Sequence, residues 1–166
     1  DAGALLEGAL ETLDRQSNIP RFNDAGRQYH GQPAEILASD LLEAKAAIIR
    51  YLEQPEVLEH LLATRVTTPY LDLDSHQEIS DEDIDQQIES VTQWELDPGC
   101  RMAYVNQTLY INGERIGDQT PSELLHLANT RTVQSAYIRK LQSLWLDTII
   151  ELIRTESLLP TEDDGS

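Results

Sequence analysis

Apolar residues recur at three- and four-residue spacing over most of the chain, the signature of amphipathic helices. Leu6, Leu10 and Leu13, with Leu5 and Ala9 beside them, predict a helix over 2–14. Residues 15–38 hold Pro20, Gly26, Gly31 and Pro33 among polar groups and read as a loop, with Phe22, Tyr29 and Ile36 as anchors. Leu41, Leu42, Lys45, Ile48, Ile49 and Leu52 then line one broad face of a strong helix. Asp40 is its expected N-cap, and Glu43 three residues on completes a capping-box pattern. Gln54-Pro55 ends it, and Pro55 suits the first turn of a short helix carrying Val57, Leu58, Leu61 and Leu62. Further on, Ser80 caps a helix with Glu82, Asp83 and Asp85 in its first turns, where the helix dipole favours carboxylates. Ile84, Ile88 and Val91 give that helix its apolar stripe.

The period changes over 101–116. Met102 and Tyr104, then Leu109 and Ile111, alternate with polar neighbours, as a half-buried strand does. Asn106-Gln107 can turn between two strands, and Asn112-Gly113 is a strong tight-turn dipeptide because both residues tolerate positive φ. The expected meander runs roughly 101–105, 109–111 and 114–116. Thr120-Pro121-Ser122-Glu123 opens another helix, with Thr120 as N-cap and Leu124, Leu125 and Leu127 on its buried side. Tyr137, Ile138, Leu141, Trp145, Ile149, Leu152 and Ile153 predict one long last helix over about 135–156. The fold class expected is mostly α with a small β meander. A helical region over 1–70 is followed by an acidic linker at 71–79, a winged-helix-like α+β domain over 80–158 and an acidic tail at 159–166.

Charge narrows the function. The 166 residues include 30 acids and 12 bases, a formal net charge of −18. From Val66 to Cys100 there are ten acids and no Lys or Arg. Phosphate backbones are bound through clustered Lys and Arg, so direct nucleic-acid binding is not expected. An anionic membrane surface is opposed by the same charge, and no apolar run approaches the roughly 20 residues that span a bilayer. The chain opens at Asp1 and its single methionine is Met102, which fits a piece of a longer protein. A lone cysteine, Cys100, excludes an intramolecular disulfide and a Cys-rich zinc site, and a reducing cytoplasmic compartment fits best.

Catalytic motifs are sparse. Glycines never fall at dinucleotide-binding or P-loop spacing, and no nucleophile elbow occurs. Cys100 has no nearby histidine in sequence and reads as a small buried hydrophobe. His76-Gln77-Glu78 with His126 has the residue types of an iron facial triad. That chemistry needs side chains converging from a rigid barrel, whereas His76 and Glu78 fall in a polar linker and His126 on a predicted helix. No catalytic, cofactor-binding or metal-binding residue is therefore assigned. His30 and His60 read as loop or surface residues. Tyr104 and Tyr110 could stack bases, but only Arg101 and Arg115 accompany them in the meander, which favours packing.

Three segments resemble one family, the bacterial JmjC-type (cupin) ribosomal-protein hydroxylases, which are Fe(II)- and 2-oxoglutarate-dependent oxygenases. The segment from Gly99 to Ile116 looks like the family's glycine–strand–strand–Asn-Gly-Glu hairpin. Ile48 to Val57 is similar to its helix–Gln-Pro-Glu–helix step, and the Pro-Ala-Glu-Ile stretch within Gln32–Leu37 is the third likeness. The resemblance spans about Phe22 to Ile153 and is to the part that follows the catalytic barrel. It implies a helical dimerisation region followed by an acidic winged-helix-like domain, with Fe(II) and 2-oxoglutarate held in the barrel, which nothing here matches. The implied role is to form a homodimer and to position the barrel and its ribosomal-protein substrate. The face of Leu41, Leu42, Ile48, Ile49 and Leu52 is the expected dimer interface, because so few elements within 1–65 can cover it. A free-standing acidic protein-interaction module of winged-helix type is the alternative, and an unrelated small metalloenzyme using His76, Glu78 and His126 the third reading.

Overall fold

The computed structural model describes residues 37–69 and 79–161, together with Gly3 and Gly8. Gly3 and Gly8 are both helical, and the rest of the helix expected over 2–14, nearly all of the loop at 15–38, most of the linker with His76 and Glu78, His30, and residues 162–166 lie outside the described residues. The chain divides into two compact units, Asp1–Leu62 and Ala63–Ser166.

In the first unit, α1 (Ala38–Leu52) starts two residues before the expected cap. Asp40 is not the N-cap. It sits in the first turn, and its carboxylate accepts from the Leu37 N–H at 3.0 Å. Ala38 and Ser39 continue the helix backwards, and Asp40 satisfies the donor at its mouth from inside rather than from outside. Helix α2 (Pro55–Thr67) begins at Pro55, whose missing N–H costs nothing in a first turn, and is longer than the spacing suggests. Its C-terminal part, from Ala63 on, is counted with the second unit, and its last turn is closed by two threonines: the Thr67 hydroxyl donates to Ala63 O at 2.8 Å and that of Thr68 to Thr64 O at 2.7 Å.

The second unit is built on α3 (Asp81–Ser90), capped by Ser80, whose hydroxyl accepts from the Asp83 N–H at 3.2 Å. Strand β1 (Gln93–Leu96) follows, then the meander β2 (Met102–Val105), β3 (Thr108–Ile111) and β4 (Glu114–Gly117). Next come α4 (Ser122–Thr130), β5 (Thr132–Gln134), the single turn α5 (Ser135–Ile138), α6 (Ser143–Arg154) and β6 (Leu158–Pro160). The strands form two antiparallel sheets, β2-β3-β4 and β5-β1-β6. The meander is where its alternation places it, with Met102 opposite Ile111 and Tyr104 opposite Leu109. Its two tight turns put Asn106 at φ 56°, Asn112 at φ 48° and Gly113 at φ 90°, the positive values that Asn and Gly tolerate best.

The second sheet is an addition to that expectation. Gln93-Trp94-Glu95-Leu96 does alternate, with Trp94 and Leu96 buried and Glu95 exposed, but four residues carry little periodic signal. Strands β5 and β6 have three residues each and exist only because β1 lies between them.

Two helix ends also differ from the pattern expected. Thr120 does not cap α4. It is buried, and its hydroxyl and its N–H both donate to Gln107 O, at 2.7 and 3.0 Å, so it ties the α4 approach to the β2–β3 turn. The single helix expected over 135–156 is broken between Ile138 and Ser143. Ser135 anchors its start, with the N–H donating to Thr92 O at 3.1 Å and the hydroxyl to Val91 O at 2.6 Å. The bend after Ile138 then frees α6 to aim Ile149, Leu152 and Ile153 into the core. That core joins Ile84 and Ile88 of α3, Trp94 and Leu96 of β1, Leu109 and Ile111 of β3, and Leu124 and Leu127 of α4.

Candidate functional site

Two surfaces hold the residues singled out in the sequence. The first is the outer face of α1. Leu41 is 62% exposed, Leu42 68%, Ile48 47% and Ile49 43%; Leu52 is half-buried. Tyr51, on the other side of the same helix, is buried. Four large apolar side chains on one helix face, each open to solvent, are more than the scattered exposure normal for a soluble surface.

The second surface surrounds α4, the helix that a DNA-reading winged helix would lay in a groove. Its sequence, Ser-Glu-Leu-Leu-His-Leu-Ala-Asn-Thr, has no Lys or Arg. Arg131 follows it directly, at φ 64°, and turns inward. Its guanidinium donates to the carbonyls of Asp97 at 2.7 Å, Leu96 at 3.2 Å and Cys100 at 3.3 Å. Two other cations of the unit are matched by carboxylates. Arg115 bonds both oxygens of Asp118 at 2.7 Å, and Arg154 bridges Asp81 at 2.6 Å and Glu151 at 2.8 Å. The Thr108 hydroxyl, and then Arg115, hold the Asp118 carboxyl below its ordinary pKa. Meanwhile Asp81, Glu82, Asp83, Asp85 and Glu89 of α3, and Glu95 of β1, are exposed. Tyr104 and Tyr110 do not form a platform. They sit on opposite faces of the meander, Tyr110 buried and Tyr104 exposed, with Asn129 Nδ2 donating to the Tyr104 hydroxyl at 3.0 Å. Ser122, Glu123, His126 and Tyr137 line a shallow cleft beside α4, and the Lys140 ammonium lies 5.4 Å from the centre of the Tyr137 ring. With no cation on α4, Arg131 turned inward and a net charge of −18, affinity for duplex DNA or rRNA at physiological salt is expected to be negligible. Fluorescence anisotropy checks this, and micromolar binding that weakens with salt would sink it.

Nothing among the described residues fits an iron centre. His126 is exposed on α4, and among the described residues no group of three or more His, Cys, Asp or Glu is placed to hold a metal ion. Cys100 is fully buried, and burial pushes its thiol up from 9.0 to about 11, against the opposing influence of Arg131. A thiol so protonated is a poor nucleophile at neutral pH. The folded state disfavours the thiolate, so this group contributes stability fully below pH 9.0 and loses it as pH rises towards about 11. Urea midpoints measured across that window should fall less steeply in Cys100→Ala than in the unmodified chain. Among the described residues, no helix is long and apolar enough to cross a membrane.

Comparison with known proteins places these features. No curated protein matches the sequence. Among solved structures, the X-ray structure of E. coli YcfD superposes with a TM-score of 0.75 at 16% identity, over 96% of this chain and 44% of that one. YcfD described as a ribosomal oxygenase from Escherichia coli, in complex with cobalt and succinic acid, gives 0.75 at 17% identity, over 96% and 46%. The same protein with cobalt and 2-oxoglutarate gives 0.74 at 17% identity, over 96% and 46%. At such identities the likeness is one of fold, and the chain spans less than half the length of these proteins. A family model described as "ROXA-like winged helix" matches residues 50–158, more than half of the chain, and so the chain belongs to the ROXA-like winged helix family.

Proposed function

We propose that this chain is the non-catalytic part of an Fe(II)- and 2-oxoglutarate-dependent ribosomal-protein oxygenase of the cytoplasm, serving as its dimerisation region and acidic winged-helix-like module. The observation that carries the reading is the family membership over 50–158 together with the fold shared with a ribosomal oxygenase. Fe(II) and 2-oxoglutarate would belong to a barrel supplied by the rest of such a protein, and no residue described here is assigned to either. In this reading residues 1–70 form the dimer region, 71–79 the linker, 80–158 the winged-helix-like domain and 159–166 the tail.

Each region has a physical rationale. The face of Leu41, Leu42, Ile48 and Ile49 gains its hydrophobic stabilisation only when water is removed from it, and a second copy about a two-fold axis would do that with the same residues on both sides. Half-buried Leu52 extends the face. The net charge of −18 opposes association, but Lys45, Arg50 and Arg65 relieve it locally. The winged-helix-like module, with a cation-free α4 and exposed carboxylates on α3, suits a basic protein rather than a nucleic acid. A ribosomal protein has that chemistry.

Light scattering on the intact chain at micromolar concentration tests the assembly. Twice the chain's mass is expected, falling to the monomer mass in Ile49→Glu. A monomer in the unmodified chain refutes the dimer, and a dimer that survives Ile49→Glu places the interface elsewhere. The oxygenase reading has its own test. The whole gene product containing this chain, given Fe(II), 2-oxoglutarate and a mixture of ribosomal proteins, should add one oxygen atom to one of them, read by mass spectrometry. A gene product without such activity sends the reading back to an acidic interaction module.

A further inference from the structure

We infer that Asn112-Gly113 is a site of spontaneous deamidation which the Thr67 hydroxyl holds closed in the native unit Ala63–Ser166. The dipeptide forms the β3–β4 turn, and its chemistry is not used by the function proposed above. Glycine has no side chain to shield its backbone nitrogen, so an asparagine before glycine is open to attack by that nitrogen. Asn106 and Asn129 precede Gln107 and Thr130, whose side chains hinder the same attack.

The step balances without a redox partner. The Gly113 nitrogen loses its proton to water or hydroxide and attacks Cγ of Asn112. A carbon–nitrogen bond forms, the Cγ–Nδ2 bond breaks, and Nδ2 leaves as ammonia after taking a proton from water. The five-membered imide left behind adds one water molecule at either carbonyl, giving aspartate or isoaspartate at 112.

The native turn keeps both reacting groups engaged. The Gly113 N–H donates to the Thr67 Oγ1 at 3.1 Å. Thr67 is itself buried, and its hydroxyl proton is committed to Ala63 O at 2.8 Å. Across the turn, Asn112 Oδ1 accepts from the Arg101 N–H at 2.9 Å, and the Asn112 N–H donates to Arg101 O at 2.9 Å. The amide nitrogen cannot shed its proton or approach Cγ until the last turn of α2 and the β3–β4 turn part. Reaction at Asn112 therefore reports a local opening rather than the time-averaged structure. Isoaspartate would insert a methylene into the backbone and dissolve the Ile111↔Glu114 pairing; aspartate would set a carboxylate beside the Cys100 thiol.

Peptide mass spectrometry after incubation in mildly alkaline buffer tests this in the full chain, with a urea-unfolded sample as reference. Asn112 should react at least about tenfold more slowly in the native chain than in the unfolded one. Thr67→Val, which keeps the shape and removes the hydroxyl, should move the rate towards the unfolded value, and Thr67→Ser, which keeps the hydroxyl, should not. Equal native and unfolded rates, a Thr67→Val rate equal to the native one, or faster reaction at another asparagine overturns the proposal. If Thr67→Val does not fold, a urea series on the unmodified chain decides. The Asn112 rate should climb well below the global unfolding midpoint, and a rate that follows global unfolding alone overturns the proposal.

Discussion

Arg131→Asn is expected to destabilise the Ala63–Ser166 unit by about 2–3 kcal/mol and to lower its melting temperature by roughly 10–20 °C. Asparagine is chosen because it tolerates the left-handed backbone at φ 64°, so the loss measured is that of the guanidinium and not of the turn. What disappears is a charged donor shared among the carbonyls of Leu96, Asp97 and Cys100, at 3.2, 2.7 and 3.3 Å. Each such hydrogen bond is worth about 1.5–3 kcal/mol, but three from one group are not additive. These carbonyls close the segment between β1 and β2, which also covers Cys100. A second readout follows. The Cys100 thiol should react faster with a thiol reagent in the variant, because opening that segment exposes it. A melting temperature within a few degrees of the parent, with unchanged thiol protection, would show that the segment closes without Arg131.

Ser135→Ala is the second large effect, about 2–4 kcal/mol from the loss of one oxygen atom. The Ser135 hydroxyl accepts from Trp94 Nε1 at 2.8 Å and donates to Val91 O at 2.6 Å. Trp94 is fully buried, so its indole N–H has no water to turn to. Alanine leaves that donor without an acceptor and deprives Val91 O of its donor, and an unsatisfied buried polar group carries its whole desolvation cost. A double-mutant cycle isolates the indole. In a Trp94→Phe background the orphaned donor is gone, and Ser135→Ala should cost distinctly less there. Equal costs in both backgrounds would mean that the serine acts through the backbone alone.

Much of this architecture is legible from local patterns. The Ser80 cap, Ile84 and Ile88 on α3, the helix start at Pro55 and the Asn-Gly turn each depend on residues within a few positions of one another. The helix faces are legible for the same reason, since a period of three to four residues needs only the helix itself to become a stripe. Leu41, Leu42, Ile48 and Ile49 share a face in the sequence and in the structure alike. Their exposure is another matter, because it depends on what packs above them. Arg131 shows the limit in the other direction. In sequence it is the one cation at the end of the would-be recognition helix, and only the fold reveals that its partners are carbonyls more than thirty residues earlier.

The sequence by itself determined the acidity, the absence of a cationic recognition helix, the positions of most helices and the three strands of the meander. These follow from composition or from contacts a few residues apart. Tertiary structure alone decided the second sheet, whose outer strands have three residues each and are held by pairings between β1 and chain some 40 to 65 residues later. It also decided the break after Ile138, where Ser135 is bound to Val91 and Thr92 from across the domain, and the buried place of Thr120, spent on Gln107 instead of a helix cap. A three-residue strand has no period to read, and a side chain that could cap locally will bond across the fold when burial leaves it a stronger partner there.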